Sequence, residues 1–238
     1  MGGLDNEILL FLNRQVGREW IVDRVLLEAI RSSLIKLGLP VALLWWAWGR
    51  RGFPAVALPA LRAIVATVAA VGLARALQNL LPPRVRPLHD PEIIAAGFRL
   101  SPGLDPHTLR DWGSFPSDHA VLAFVLATSV FLVHRRAGLF ALAWALVVVC
   151  LPRVYFGLHY PSDILGGAMI GAAIAVLASG ARLPRRLTQG VETAARLHPG
   201  VLYGVLFLAT FQAATLFADA RGLVDTSRAA LASLLQQP

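Results

Sequence analysis

The sequence PRVYFGLHYPSD, from Pro152 to Asp163, lies between two long apolar runs and carries an arginine, a histidine and an aspartate. An ionisable side chain at the centre of a bilayer costs about 2.5–3.5 kcal/mol, so such residues usually face a polar cavity and mark a site. We therefore expect Arg153, His159 and Asp163 to form a functional site at the boundary of a membrane.

A second stretch, SFPSDHA from Ser114 to Ala120, has the same arrangement of an aromatic residue, a proline and Ser-Asp before an apolar run. Ser and Asp favour helix N-termini, and the residue before a proline is disfavoured in a helix, so both stretches are predicted to begin helices. The free N–H groups at a helix N-terminus bind anions such as phosphate. The two helix starts together predict an anion-binding site.

The composition is typical of a membrane protein. The 238 residues are 56% hydrophobic and 15% charged, with a mean hydropathy of +0.62. Six stretches lack Asp, Glu, Lys and Arg, and they comprise residues 37–49, 63–74, 119–134, 137–152, 164–181 and 197–218. We predict an all-α bundle of six transmembrane helices, the second continuing to about Leu81 and the third starting at Ser117. Residues 5–31 alternate charged and apolar positions, which predicts amphipathic helices at the N-terminus, on the outer interface.

The charges indicate the orientation of this bundle. With six spans, the linkers 50–62, 135–136 and 182–196 share one side, and both termini share the other side with the two motifs. The linkers hold nine arginines against Glu192, and therefore the whole net charge of +8. The positive-inside rule places these linkers in the cytoplasm and the motifs on the extracytoplasmic side. Because the basic residues lie in short loops without interleaved aromatic residues, the sequence does not favour binding to nucleic acid.

One long loop, at about residues 82–116, separates the second and third predicted spans. Pro82, Pro83 and Pro87 prevent the second helix from continuing into it. Loops of this length in compact domains are commonly functional. Three arginines gather where the loop begins, and we interpret them as part of an anion pocket. They are Arg75, Arg84 and Arg86.

Together these stretches resemble the type 2 phosphatidic acid phosphatase superfamily, whose pattern is K-x6-RP, then PSGH, then SR-x5-H-x3-D. The matching positions are Asn79 and Arg86-Pro87, then Pro116-Ser117-Asp118-His119, then Pro152-Arg153, His159 and Asp163. The resemblance covers roughly residues 60–181, which we interpret as the catalytic core of a single membrane-embedded domain, residues 1–238.

Three positions depart from the superfamily pattern. Asp118 replaces a glycine, and an acidic residue is favourable in the first turn of a helix. Pro152 replaces a serine and removes one hydroxyl donor. Asn79 replaces the lysine of the first motif and so removes a cation that binds phosphate. Arg75 or Arg84 can supply that charge, and we expect Arg84 to do so because it follows the two prolines that end the helix.

The resemblance implies a mechanism through a covalent phosphohistidine. His159 attacks phosphorus, Asp163 accepts the other ring N–H of His159 and raises its pKa, and His119 protonates the leaving group. The implied phosphate-binding residues are Arg86, Ser117, Asp118, Arg153, Arg84 and Asn79. The resemblance implies neither a metal nor another cofactor.

The function implied is metal-independent hydrolysis of a lipid phosphate or diphosphate, with a polyprenyl carrier such as undecaprenyl diphosphate as the favoured substrate. This places the protein in a bacterial inner (plasma) membrane, with lipid as substrate and no obligate protein partner. Two alternatives stay open. One is a phosphotransferase that uses the same histidine chemistry with an alcohol as acceptor. The other is a catalytically inactive protein that binds or flips lipids, which the loss of the lysine at Asn79 suggests.

Overall fold

The computed structural model describes residues 2–50, 56–110 and 112–215, and all regular structure in these ranges is helical. The prediction of an all-α fold is therefore confirmed for this part of the chain. The helices are α1 (Gly2–Asn13), α2 (Trp20–Arg31), α3 (Leu34–Gly49), α4 (Ala57–Leu80), α5 (Pro91–Ala95), α6 (Asp118–Val133), α7 (Arg135–Tyr155), α8 (Pro161–Gly180), α9 (Arg185–Leu197) and α10 (Pro199–Ala214).

Three of these helices, α4, α7 and α8, are long and apolar enough to cross a membrane. Helices α3, α6 and α10 are also apolar and lie at the other three predicted spans, but they are shorter. A helix of 16 residues, such as α6, is about 24 Å long, whereas the hydrocarbon core of a bilayer is about 30 Å thick. The protein is thus an all-α membrane protein, and the count of six spans stays a prediction. Residues 216–218, at the end of the sixth predicted span, lie outside the described residues.

Helix α6 is the centre of the bundle and packs against α3, α4, α7 and α8. Its contact with α8 is the closest, because glycines of α8 face it. A Cβ atom added to Gly171 would lie 2.3 Å from the carbonyl oxygen of Val121, and one added to Gly167 would lie 2.6 Å from that of Ser117. The small residues of α8 therefore allow the two backbones to touch, as small residues do at other contacts between transmembrane helices.

Both predicted helix starts are confirmed. Helix α6 follows Ser117, whose hydroxyl accepts a hydrogen bond from the Ala120 amide at 3.4 Å. Helix α8 begins at Pro161, and the carboxylate of Asp163 accepts from the Tyr160 amide at 2.8 Å. These caps fix where each helix begins and therefore where its first polar side chains lie.

The order of the helices separates two ends of the bundle. Helices α4 and α7 end, and α6 and α8 begin, at what we call the site end. The opposite end holds the described parts of the basic linkers. Its third linker, 182–196, contains most of α9, which has no buried residue. A helix without a buried face lacks the continuous apolar run by which the spans were recognised.

The N-terminal segment contributes to the site end. Residues 5–31 contain α1 and α2, and Leu9 of α1 is fully buried. The Asn13 side chain donates hydrogen bonds of 3.0 Å to the carbonyl oxygens of Arg99 and Tyr155. Helix α1 is therefore joined to both the long loop and the end of α7. Its location at a membrane interface stays a prediction.

Candidate active site

A cavity of about 760 Å³ opens at the site end, between the long loop and the ends of the helices. Its lining includes five basic side chains and two acidic ones, a net charge of +3 without the histidines. The basic residues are Arg31, Lys36, Arg75, Arg86 and Arg153, and the acidic ones are Asp105 and Asp118. Both predicted catalytic histidines, His119 and His159, also line it. A cavity with this charge favours an anionic ligand.

His159 lies in the turn that connects α7 to α8. Gly157 makes this turn possible because its φ of 68° lies in the left-handed region, and an added Cβ would lie 2.4 Å from the Phe98 ring. The His159 side chain is 2% exposed. Its Nδ1 lies 2.9 Å from the carbonyl oxygen of Ser114, and its Nε2 lies 3.2 Å from the guanidinium of Arg86. Because a carbonyl can only accept, Nδ1 carries the proton, and the electron pair on Nε2 of the neutral ring accepts a hydrogen bond from Arg86.

Asp163 lies behind His159 and differs from its expected role. Its Oδ2 is 3.7 Å from Nδ1 of His159, which is too long for a hydrogen bond. The ring N–H that was expected to bind Asp163 is instead donated to Ser114. Burial lowers the pKa of His159, and the nearby Asp163 carboxylate opposes this shift without reversing it. Asp163 therefore acts on the pKa of His159 in the direction expected from the sequence, but burial outweighs it and the net pKa is lowered.

His119 is oriented by its neighbour in the chain. Its Nδ1 lies 2.9 Å from Oδ1 of Asp118, which leaves Nε2 as the nitrogen available to a ligand. The other carboxylate oxygen of Asp118 accepts from Arg75 at 2.7 Å. The Arg75 guanidinium also lies over the Trp112 ring, 4.6 Å from its centroid. Asp118 thus positions His119 and ties it to helix α4.

Arg86 and Arg153 are almost completely buried, with 4% and 3% of their surfaces exposed. Arg86 donates hydrogen bonds to the carbonyl oxygens of Trp112 (3.0 Å), Gly113 (3.1 Å) and Leu158 (2.7 Å). Arg153 donates to the carbonyl oxygen of Val149 at 2.7 Å. These acceptors orient both guanidinium groups but do not neutralise their charge.

Arg84 has a different environment. Its guanidinium donates to Asp163 at 2.7 Å, to Asp5 at 2.8 Å and to the Ser162 hydroxyl at 2.7 Å, and it stacks 4.0 Å from the centroid of the Tyr160 ring. We call these five residues the Arg84 network. It links α1, the loop and the first turn of α8, and Arg84 does not line the cavity.

A family model described as the PAP2 superfamily matches residues 56–186, more than half of the chain. The chain belongs to the PAP2 superfamily. Segments of it are also similar to individual bacterial members. The bacitracin transport permease protein BcrC of Bacillus licheniformis is 40% identical over 63 residues, 26% of this chain and 30% of that protein. The putative undecaprenyl-diphosphatase YbjG of Escherichia coli is 41% identical over 58 residues, which are 24% of this chain and 29% of that protein.

The undecaprenyl-diphosphatase BcrC of Bacillus subtilis is 33% identical over 78 residues, 31% of this chain and 37% of that protein. The chain therefore matches less than two fifths of the length of each of these three relatives. No solved structure matches the chain significantly.

Some residues at the superfamily's motif positions line the cavity, and others lie outside it. Those that line the cavity are Arg86, Asp118, His119, Arg153 and His159. Three of the expected phosphate-binding residues lie elsewhere. Asn79 is exposed at the end of α4, Ser117 is buried as a helix cap, and Arg84 belongs to its network.

Two contributions to the site were missed by the sequence analysis. The Ser114 carbonyl that orients His159 is a backbone group, and no residue type marks it. Lys36 lines the cavity from α3, outside all three motifs. One feature of the sequence could have drawn attention to this residue, because Lys36 is the single lysine in the sequence.

Proposed function

We propose that the protein hydrolyses a lipid phosphate or diphosphate through a phosphohistidine at His159, without a metal ion. The observation that best supports this proposal is the state of His159. Its Nδ1 donates its proton to a backbone carbonyl, so Nε2 carries the electron pair that can attack. His159 also lines a positively charged cavity. A neutral imidazole fixed in one tautomer is a suitable nucleophile towards phosphorus.

In the first step, Nε2 of His159 forms a bond to phosphorus as the bond from phosphorus to the leaving oxygen breaks. His119, protonated, donates its Nε2 proton to that oxygen. Arg86 and Arg153 bind the phosphoryl oxygens, whose charge must be stabilised in the transition state. The Asp163 carboxylate, 3.7 Å from the ring, stabilises the positive charge that forms on His159.

In the second step, water attacks the phosphohistidine from the side vacated by the leaving group. His119, now neutral, accepts a proton from this water, and the bond between phosphorus and Nε2 breaks. Inorganic phosphate or a phosphate monoester leaves, and both histidines return to their starting protonation states. His119 therefore acts as the general acid in the first step and as the general base in the second.

The substrate class proposed is a polyprenyl diphosphate such as undecaprenyl diphosphate. The apolar helices around the cavity suit a membrane lipid, and two of the similar relatives carry the name undecaprenyl-diphosphatase. We further propose six spans in a single domain, with the site on the extracytoplasmic face of a bacterial inner membrane. The basic linkers at the opposite end support this orientation.

Phosphate release by the detergent-solubilised protein tests the proposal. The panel consists of prenyl diphosphates, phosphatidic acid and phosphatidylglycerol phosphate, each with and without excess EDTA. We expect release from at least one prenyl diphosphate, unchanged by EDTA. Activity lost in EDTA and restored by Mg²⁺ would contradict the metal-independent scheme. Label transferred to an added alcohol would indicate a phosphotransferase, and binding without turnover would indicate an inactive lipid-binding protein.

A further inference from the structure

The first superfamily motif lacks its lysine in this chain, and its replacement, Asn79, is exposed rather than directed into the cavity. The chain nevertheless has one lysine among its 22 basic residues, and that residue, Lys36, lines the cavity with His119 and Arg153. It lies in the first turns of α3, outside residues 56–186, to which the family model matches.

The Lys36 side chain is 6% exposed, which is unusual for lysine because burying an ammonium group without a partner is unfavourable. Its Nζ donates one hydrogen bond, of 2.9 Å, to the carbonyl oxygen of Ile30. Within the described parts of the chain it forms no ion pair, and Asp118, the carboxylate that interacts with it electrostatically, is already bound by Arg75 and His119. As far as the structure is described, two N–H groups of this buried cation are thus left for a ligand.

The backbone around Lys36 is also unusual. Residues Leu34–Gly38 form a π-helical turn, which packs against a second π-helical turn, Ala145–Cys150, just before Arg153. The Trp144 indole N–H donates to the carbonyl oxygen of Ile35 at 3.1 Å and joins the two turns. Single π-helical turns occur frequently at functional sites. Here they hold Lys36 and Arg153 on the same cavity.

We propose that Lys36 binds a phosphoryl oxygen of the substrate and supplies, from a helix outside the motifs, the cation that Asn79 cannot. This inference rests on the proposed function of the cavity. It differs from the sequence-based expectation, which assigned this role to Arg84 or Arg75. The charges of those two arginines are shared with carboxylates, whereas no described carboxylate forms an ion pair with Lys36.

Steady-state kinetics on a prenyl diphosphate test the proposal with three variants. Lys36→Met keeps the length of the side chain without its charge, and we expect kcat/KM to fall on the order of 10²-fold, as for loss of one oxyanion donor. Lys36→Arg restores the charge and is expected to recover most of this loss. Arg24→Gln removes an exposed cation from α2 and is the control, expected to match the wild type. A Lys36→Met enzyme within twofold of an active wild type would overturn the proposal.

A measurement on the unmodified chain covers the case in which Lys36→Met does not fold. Reductive methylation followed by mass spectrometry reports on Lys36 without ambiguity, because the only other amine is the N-terminus, which serves as the internal control. Saturating vanadate, an analogue of the phosphoryl group, is expected to slow methylation of Lys36 at least tenfold. Equal rates with and without vanadate would overturn the inference. If the wild type bound vanadate at Lys36 but released no phosphate from any lipid, the proposed hydrolysis would be contradicted. Anion binding by Lys36 would still be supported.

Discussion

The Arg84 network and the cavity lie side by side at the site end, yet their arginines have different hydrogen-bond partners. In the network, Arg84 is bound by the carboxylates of Asp5 and Asp163 and is neutralised. In the cavity, Arg86 and Arg153 donate to backbone carbonyls, which orient a guanidinium without cancelling its charge. A cation paired with buried acids stabilises structure, whereas a cation held only by neutral acceptors remains available to an anionic ligand. We therefore interpret the network as structural support and the cavity as the proposed substrate site.

The largest effect is expected for His159→Ala, which removes the proposed nucleophile from the cavity. Because no other described group replaces its Nε2, we expect kcat/KM to fall by roughly 10⁴-fold or more. His134→Asn is the matched control, since His134 caps α7 at the opposite end and Asn retains the capping acceptor. Phosphate release measures both variants. Activity above a few per cent of wild type in His159→Ala would refute the covalent scheme.

Arg75→Gln and Arg84→Gln compare the cavity with the network directly. Arg84→Gln leaves the fully buried Asp163 without its cation. Because Arg84 itself is partly exposed, we expect the free energy of unfolding to fall by only about 1–3 kcal/mol. Arg75→Gln frees Asp118 from its partner and is expected to lower kcat/KM by about tenfold, because His119 loses its orientation.

Thermal unfolding and steady-state kinetics of both proteins separate the two roles. The expected pattern is a lowered Tm for Arg84→Gln and a lowered kcat/KM at nearly unchanged Tm for Arg75→Gln. The reverse pattern would show that Arg84, not the cavity cations, serves the substrate.

Gly171→Val tests the support of the site without changing any charge. An added side chain collides with the α6 backbone at Val121, and overpacking of this kind lowers the unfolding free energy by about 1–3 kcal/mol. Gly72→Ala in α4 is the control because an added Cβ meets nothing within 4 Å, and we expect it to be neutral or slightly stabilising. Chemical or thermal unfolding in detergent measures both. Equal stability of the two variants would contradict the close contact of α6 with α8.

The smallest effect expected is a change in pH dependence. His159 must be unprotonated at Nε2 to attack, and burial lowers its pKa, so the low-pH limb of kcat/KM should lie below the ordinary histidine pKa of about 6.5. Asp163 favours the protonated ring, so Asp163→Asn should lower this pKa further and shift the limb of the residual activity to lower pH. A pH profile of kcat/KM measures the shift. A movement to higher pH would contradict the electrostatic role of Asp163.

Local signals predicted a large part of this structure. The Ser-Asp pairs marked the starts of α6 and α8, and the two motif histidines lie on one cavity. The contact of Arg84 with Asp5 could not be predicted, because the two residues are 79 positions apart and the sequence carries no signal for such a separation. Lys36 was missed for a related reason, since only the packing of α3 on α7 brings it to the cavity.

The stereochemical course at phosphorus tests the central claim most directly. Attack by His159 and then by water gives two in-line displacements, each of which inverts the configuration at phosphorus. A substrate made chiral at phosphorus with sulfur and oxygen isotopes therefore reports the number of displacements, whichever step limits the rate. We predict retention of configuration overall in the released thiophosphate. Inversion would show a single direct attack by water and would contradict the account of His159 as the nucleophile.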